Sequence, residues 1–199
     1  MNDFPTEYCM NINSDSLARY SRIAQSHNLV PIVEPEVLMD GSHTIEKCFD
    51  ITSKMLEVVF EHLIKHNVHL GGILLKPNMI ISGEDKKERD SVKEVSNATI
   101  KCLMNNVPHE VPGIVFLSGG QSNELATKHL NEMNKTKNLP WSLSFSYGRA
   151  LQQPVISSWM GKDCNIHISQ KELLKRCKLN SLATLGQYED RLELIKDEK

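Results

Sequence analysis

Aromatic residues are scarce, at 6% of the chain. No apolar run approaches the ~18 residues that a membrane span requires. Charge of one sign is also lacking: 23 Lys and Arg are offset by 25 Asp and Glu, for a formal net charge of -2. The basic residues are not clustered, which excludes a general nucleic-acid binder. Cysteines stand at positions 9, 48, 102, 164 and 177 with no C-x-x-C pair. Neither a disulfide framework nor a zinc knuckle is therefore expected, but reduced and mostly buried thiols. Nucleotide motifs of the G-x-x-x-x-G-K-[ST] or G-x-G-x-x-G type are missing. The stretch MNDFPTEYCM has neither a basic nor an apolar segment, so no secretory leader is read and the cytoplasm is the expected compartment.

What is present is a chain of globular composition, 199 residues long, 40% hydrophobic and 24% charged. That length suits one domain and falls short of the ~250 residues of a complete (β/α)8 barrel. Helix-like and strand-like segments alternate along it. Apolar spacing predicts helices over 13–28, 44–66, 90–105, 122–134, 149–161 and 168–184. The first should bury Leu17, Tyr20, Ile23 and Ala24 on one face. Short apolar runs at 29–33, 72–76, 113–117 and 142–146 read as strands, the first as a strand buried on both faces. Strands separated by helices imply parallel βα units. The polar stretch 82–90 (SGEDKKERD) is the best candidate for a mobile loop. Residues 1–188 read as one unit and 189–199 as a charged, solvated tail.

In parallel α/β folds, sites form beyond the carboxyl ends of the strands. Those ends carry Glu34-Pro35-Glu36, Lys76-Pro77-Asn78, Ser118-Gly119-Gly120 and Tyr147-Gly148-Arg149. On extended backbone Glu34 and Glu36 start on the same face. Neighbouring carboxylates disfavour double ionisation, so the pair can supply both an acid and a base. They can equally be partners of surface cations. Lys76 ends a buried run, where desolvation favours the free amine that attacks carbonyls. It can also reach out to solvent, or pair with a nearby Glu. The glycines of 118–120 let backbone N–H groups approach an anion at a helix start, and Arg149 suits bidentate phosphate contact. Tight-turn glycines and a surface arginine are the plainer alternative. His62 and His66 have helical i, i+4 spacing, but without H-E-x-x-H or an obvious carboxylate or thiolate partner. They read as a solvent-facing pair, and no metal site is expected.

At these residues the chain closely resembles class I fructose-bisphosphate aldolase, the metal-free, Schiff-base type. The resemblance rests on LVPIVEPEVLMDG (29–41), LLKPNM (74–79), VPGIVFLSGGQS (111–122) and PWSLSFSYGRALQ (140–152). It covers the second half of the family's barrel, so the implied fold is α/β, a partial TIM (β/α)8 barrel of about four parallel strands with flanking helices. It implies cleavage of fructose 1,6-bisphosphate to dihydroxyacetone phosphate and glyceraldehyde 3-phosphate, with no cofactor. Lys76 matches the Schiff-base lysine, Glu34 the acid/base carboxylate and Glu36 the glutamate beside it. Ser118, Gly119, Gly120, Ser146, Gly148 and Arg149 match the site that holds a substrate phosphate. Gly71-Gly72 departs from the family's Glu-Gly, a change expected to loosen the local structure or to remove a salt bridge. A half-barrel leaves open strand edges, which implies self-association, association with a full-length aldolase, or marginal stability. The alternative is an incomplete half-barrel that binds sugar phosphates or a subunit without turnover.

Overall fold

The structure, a computed structural model, describes residues 5–194. Helix α1 (Glu7–Ser26) leads into strand β1 (Ile32–Val33), followed by α2 (Ile45–Lys65), β2 (Leu74–Leu75) and α3 (Val92–Asn106). Strand β3 (Gly113–Phe116), α4 (Asn123–Asn134), β4 (Ser142–Phe145), α5 (Arg149–Trp159) and α6 (Ile166–Thr184) complete the main elements. The helix starts are written locally. Thr6, Thr44 and Ser122 each accept a hydrogen bond from the amide three residues on, and Ser91 with Glu94 forms a reciprocal capping box. Asn28 and Asn67 adopt left-handed backbone just past the ends of α1 and α2, where asparagine is among the residues that tolerate it.

The sheet has four strands in the order β1-β2-β3-β4, every pair parallel. Its register aligns Val33, Leu75, Ile114 and Leu143 across the sheet. All four are buried, and they form one core with Met55, Leu56, Val59, Leu63, Leu103 and Leu130 from the helices. The opposite face carries Ile32, Leu74, Val115 and Ser144, which are only half-buried. The partial (β/α) barrel expected from the sequence is thus present, but its strands are covered on one face and not on both.

Several local expectations are corrected. Helix α1 starts at Glu7 and buries Met10, Ser14, Ala18 and Ser21, whereas Tyr20 and Ile23 face outward. Small residues mark the buried stripe because α1 packs closely along α2. The first strand is only Ile32–Val33, and Leu29 and Val30 before it are exposed, because β1 is a sheet edge with a single partner. The polar stretch 82–90 is tied down: Arg89 donates to the carbonyls of Ser82, Gly83 and Gly120, and Asp90 accepts from the Ser82 amide. The Gly71-Gly72 turn is pinned as well, since Gln25 bonds His69 at both its N–H and its C=O and also the Gly72 carbonyl.

Two further expectations concern the cysteines and the charged end. All five cysteines are free, but only Cys48 and Cys102 are buried, while Cys9 and Cys164 are exposed. Burial pushes the Cys102 thiol up to about 11, so it is held as an unreactive thiol. Of the charged segment after Tyr188, Asp190–Leu194 forms a 3-10 turn, and Glu193 is docked against Arg176 rather than solvated. The remainder of that segment lies outside the described residues.

Candidate functional site

Side-chain alternation explains how the site is assembled. Glu34 follows Val33 and Lys76 follows Leu75, so both leave their strands on the half-covered face, beside Ile32 and Leu74. The ladder continues just far enough to fix them: the Lys76 amide donates to the Val33 carbonyl at 2.7 Å. Residues 42 apart in sequence then meet, with Lys76 Nζ 2.9 Å from Glu34 Oε2. The lysine side chain is 20% exposed and the glutamate 49%. The amine is therefore held by one carboxylate and open on its other side, not sealed in the core.

Glu34 and Glu36 do not act as a side-by-side pair. The strand has ended at Val33, and the Glu36 amide turns back to donate to the Glu34 carbonyl at 3.0 Å. That turn defeats the extended-backbone assumption and sends Glu36 towards the third strand end. There its Oε1 lies 3.5 Å from the point where a Cβ on Gly119 would sit, and Arg149 Nη2 lies 3.2 Å from the same point. Glu36 and Arg149 thus flank Gly119, while Glu34 engages Lys76.

The expected phosphate residues are brought together at the ends of β3 and β4. Ser118 and Gly119 are buried, and Ser118 Oγ accepts the Ala150 amide at 3.3 Å, joining the two loops. Ser146 continues the ladder by donating its amide to the Phe116 carbonyl at 2.9 Å. Gly120 has φ +70°, and an added Cβ would fall 2.6 Å from Met39 Cβ, so glycine is required there on two grounds. Gly148 is different: its φ is -86° and no atom lies within 4 Å of where a Cβ would stand. It opens α5 and presents Arg149, which is exposed, at the helix's first turn. The combination is an amine beside a carboxylate, then a glycine floor with a guanidinium over it.

Two residues that sequence reasoning passed over hold this arrangement. Asn78 is buried; its Oδ1 accepts the Val37 amide at 3.0 Å, and its Nδ2 donates to Thr52 Oγ1 at 3.0 Å. One side chain thereby fixes the loop after β1 to helix α2, directly behind Glu34 and Lys76. Arg89 reaches the Gly120 carbonyl at 2.7 Å and steadies the glycine floor. Asn78 stands inside the LLKPNM motif, two residues beyond the lysine, where a buried polar side chain at a strand end is a readable signal. Arg89 gave none, being one of several charges in a polar loop.

The remaining sequence candidate is also revised. His62 and His66 are not simply solvent-facing. Asp15 of α1 lies against both, 2.8 Å from His66 Nε2 and 3.7 Å from His62 Nδ1. This carboxylate is 47 residues or more away in sequence from either histidine, which is why spacing did not reveal it.

Comparison with known proteins bears on the family and the fold. The family model described as "Glycolytic: Fructose-bisphosphate aldolase class-I" matches residues 1–199. A probable fructose-bisphosphate aldolase class 1 from Xanthomonas axonopodis pv. citri is 49% identical over 94% of this chain and 56% of its own length. A cytosolic fructose-bisphosphate aldolase from Arabidopsis thaliana is 48% identical over 97% of this chain and 49% of its own. A ternary co-crystal structure of fructose-bisphosphate aldolase from Plasmodium falciparum, with TRAP and a small-molecule inhibitor, superposes with a TM-score of 0.90 at 46% identity. The match covers 93% of this chain and 53% of that one. The chain spans about half the length of the curated relatives it matches. On the family match, the shared fold and this level of identity, the chain belongs to the class I fructose-bisphosphate aldolase family.

Proposed function

We propose that the chain carries the Schiff-base chemistry of a fructose-bisphosphate aldolase, cleaving fructose 1,6-bisphosphate to dihydroxyacetone phosphate and glyceraldehyde 3-phosphate. The observation that carries this reading is the 2.9 Å contact between Lys76 Nζ and Glu34 Oε2 at a common strand rim. At that distance Glu34 can take a proton from the Lys76 ammonium as the amine adds to the ketone, which leaves a carboxylic acid beside the new bond. The amine attacks the C2 ketone to form a carbinolamine, and the Glu34 acid protonates the departing hydroxyl as water leaves. The iminium that results withdraws electrons. As the C4 hydroxyl gives its proton to the regenerated Glu34 carboxylate, the C3–C4 bond breaks and its electron pair moves towards the iminium nitrogen. Glyceraldehyde 3-phosphate departs and an enamine remains on Lys76. Protonation at C3 and attack of water on the iminium release dihydroxyacetone phosphate and restore the lysine.

Ser118, Gly119, Gly120, Ser146, Gly148 and Arg149 hold a substrate phosphate in this reading. Arg149 Nη2 over the Gly119 backbone supports it, because glycine lets the anion approach main-chain N–H groups beneath a cation. Glu36 flanks the same floor, near Gly119, rather than sharing a proton with Glu34. The location proposed is the cytosol, in keeping with the plant relative.

A second reading is favoured by one observation: β1 and β4 each have one partner strand, so among the described residues the sheet has two open edges. In that reading the chain binds sugar phosphates or docks on another subunit, either a second copy or a full-length aldolase, without turning over alone. Borohydride trapping with dihydroxyacetone phosphate separates the two. The expected result is a stable adduct on the Lys76 peptide by mass spectrometry, lost in Lys76→Met, together with aldol cleavage in a coupled assay. An adduct without cleavage selects the second reading, and no adduct at saturating ligand removes the Schiff-base proposal altogether.

A further inference from the structure

Asp15, His62 and His66 form a cluster that the Schiff-base chemistry does not use. Helical periodicity stacks His62 and His66 one turn apart on α2. Helix α1 packs along that face and adds the carboxylate. Asp15 Oδ1 lies 2.8 Å from His66 Nε2 and 3.7 Å from His62 Nδ1, and the three ligand atoms all lie within 4.8 Å of one another. Zinc bonds of 2.0–2.1 Å in a tetrahedron set ligand atoms about 3.3 Å apart, and the two carboxylate–histidine separations bracket that value.

The surroundings favour metal ligation over a plain hydrogen bond. Asn11, one turn before Asp15 on α1, places its Oδ1 3.3 Å from His62 Nε2. That contact takes the Nε2 proton and leaves the Nδ1 lone pair facing Asp15, the outer support that ligating histidines require. Arg19 approaches the other carboxylate oxygen, Oδ2, at 3.9 Å, which leaves Oδ1 to the histidines. His62 is 15% exposed and Asp15 42%, so the cluster is partly sheltered yet reachable by solvent.

We propose that Asp15, His62 and His66 bind a zinc-class divalent cation, with water as the fourth ligand, and that the ion clips α1 to α2. Helix α2 runs from the loop after β1 back towards the start of β2, so its C-terminal turn stands at the end of the sheet opposite Lys76. The role is therefore structural and stands independently of the aldolase reading.

The test uses the whole chain with reduced thiols, zinc sulfate and, as a spectroscopic probe, cobalt(II). Equilibrium dialysis should give one zinc per chain, weakened at least tenfold by His62→Ala or His66→Gln and by roughly tenfold in Asn11→Ala. Arg19→Gln should strengthen binding by removing a competing cation. Zinc should raise the thermal midpoint of the parent protein and leave the His62→Ala/His66→Gln double variant unmoved. The parent's cobalt complex should show tetrahedral d–d bands without sulfur-to-metal charge transfer, a readout that does not depend on any variant folding. Absence of uptake, uptake unchanged in the histidine variants, or loss of binding in Cys9→Ser would each overturn the proposal.

Discussion

Two ion pairs bracket what this fold does with charge. Lys76–Glu34 at the strand rim has side chains 20% and 49% exposed, while Arg176–Glu193 between α6 and the terminal turn has 1% and 16%. The rim pair is a single contact. The inner arginine is surrounded: Nη1 meets Glu193 Oε1 at 2.6 Å, and Nη2 donates to Thr127 Oγ1 at 2.6 Å and to the Asn123 carbonyl at 3.1 Å. Tyr188 adds a hydrogen bond to the same glutamate. A charge held at both terminal nitrogens joins α4, α6 and the terminal turn, and it is unavailable for chemistry. A charge held by one movable partner contributes little to stability and is free to react.

The sharpest break in that comparison is Glu193→Ala, which strands a buried guanidinium and should cost about 3–5 kcal/mol. Replacing both members, Arg176→Met with Glu193→Leu, should recover most of that loss, as chemical denaturation of the three proteins will show. A recovery no better than the single variant would mean that the hydrogen bonds to Thr127 and Asn123 matter more than the ion pair.

The inner region should also respond to pH. His129 lies buried in α4, hydrogen-bonded to Gln121 Oε1 at 2.6 Å, and desolvation lowers its pKa from 6.5 to about 4. Between those values the unfolded chain binds a proton that the folded chain refuses. Stability should therefore fall as pH drops from 6.5 towards 4, by about 3 kcal/mol in all. Urea midpoints measured across that window should flatten in His129→Gln.

At the rim, Gly120→Ala should destabilise by about 1–3 kcal/mol, because it combines a left-handed φ with a clash against Met39. Gly148→Ala, with open space around it and ordinary φ, should shift stability by no more than about 0.5 kcal/mol. Glu34→Gln should likewise change stability little, by less than about 1 kcal/mol, since its partner contact is half in solvent. The same change should sharply slow borohydride trapping on Lys76. A large stability loss there would erase the distinction between the two pairs.

The sequence disclosed the order of elements and the residues of the rim, because apolar runs and the strand-end motifs are local signals. It did not disclose how few residues each strand would pair. Leu29 and Val30 read as strand, yet they lie outside the ladder, since pairing depends on neighbours far along the chain. Glu34 and Glu36 were legible as important but not as separate, because the turn from Glu34 to Glu36 breaks the alternation on which their shared face rested. Asp15 beside His62, and Glu193 beside Arg176, are tertiary meetings that no periodicity encodes. Tyr20 and Ile23 misled because size suggested burial, whereas the closely packed side of α1 selects Ala18 and Ser21.

The unlike borders of the sheet have a geometric consequence. One border is β1 and the other β4, with all strands pointing the same way, so neither can zip onto its own twin in the parallel sense. A second copy related by a two-fold axis along the strands would instead lay its β1 beside the first copy's β4, and do so twice. Such a copy would bring the strand count to the eight of a closed parallel barrel, with the half-covered face on the inside.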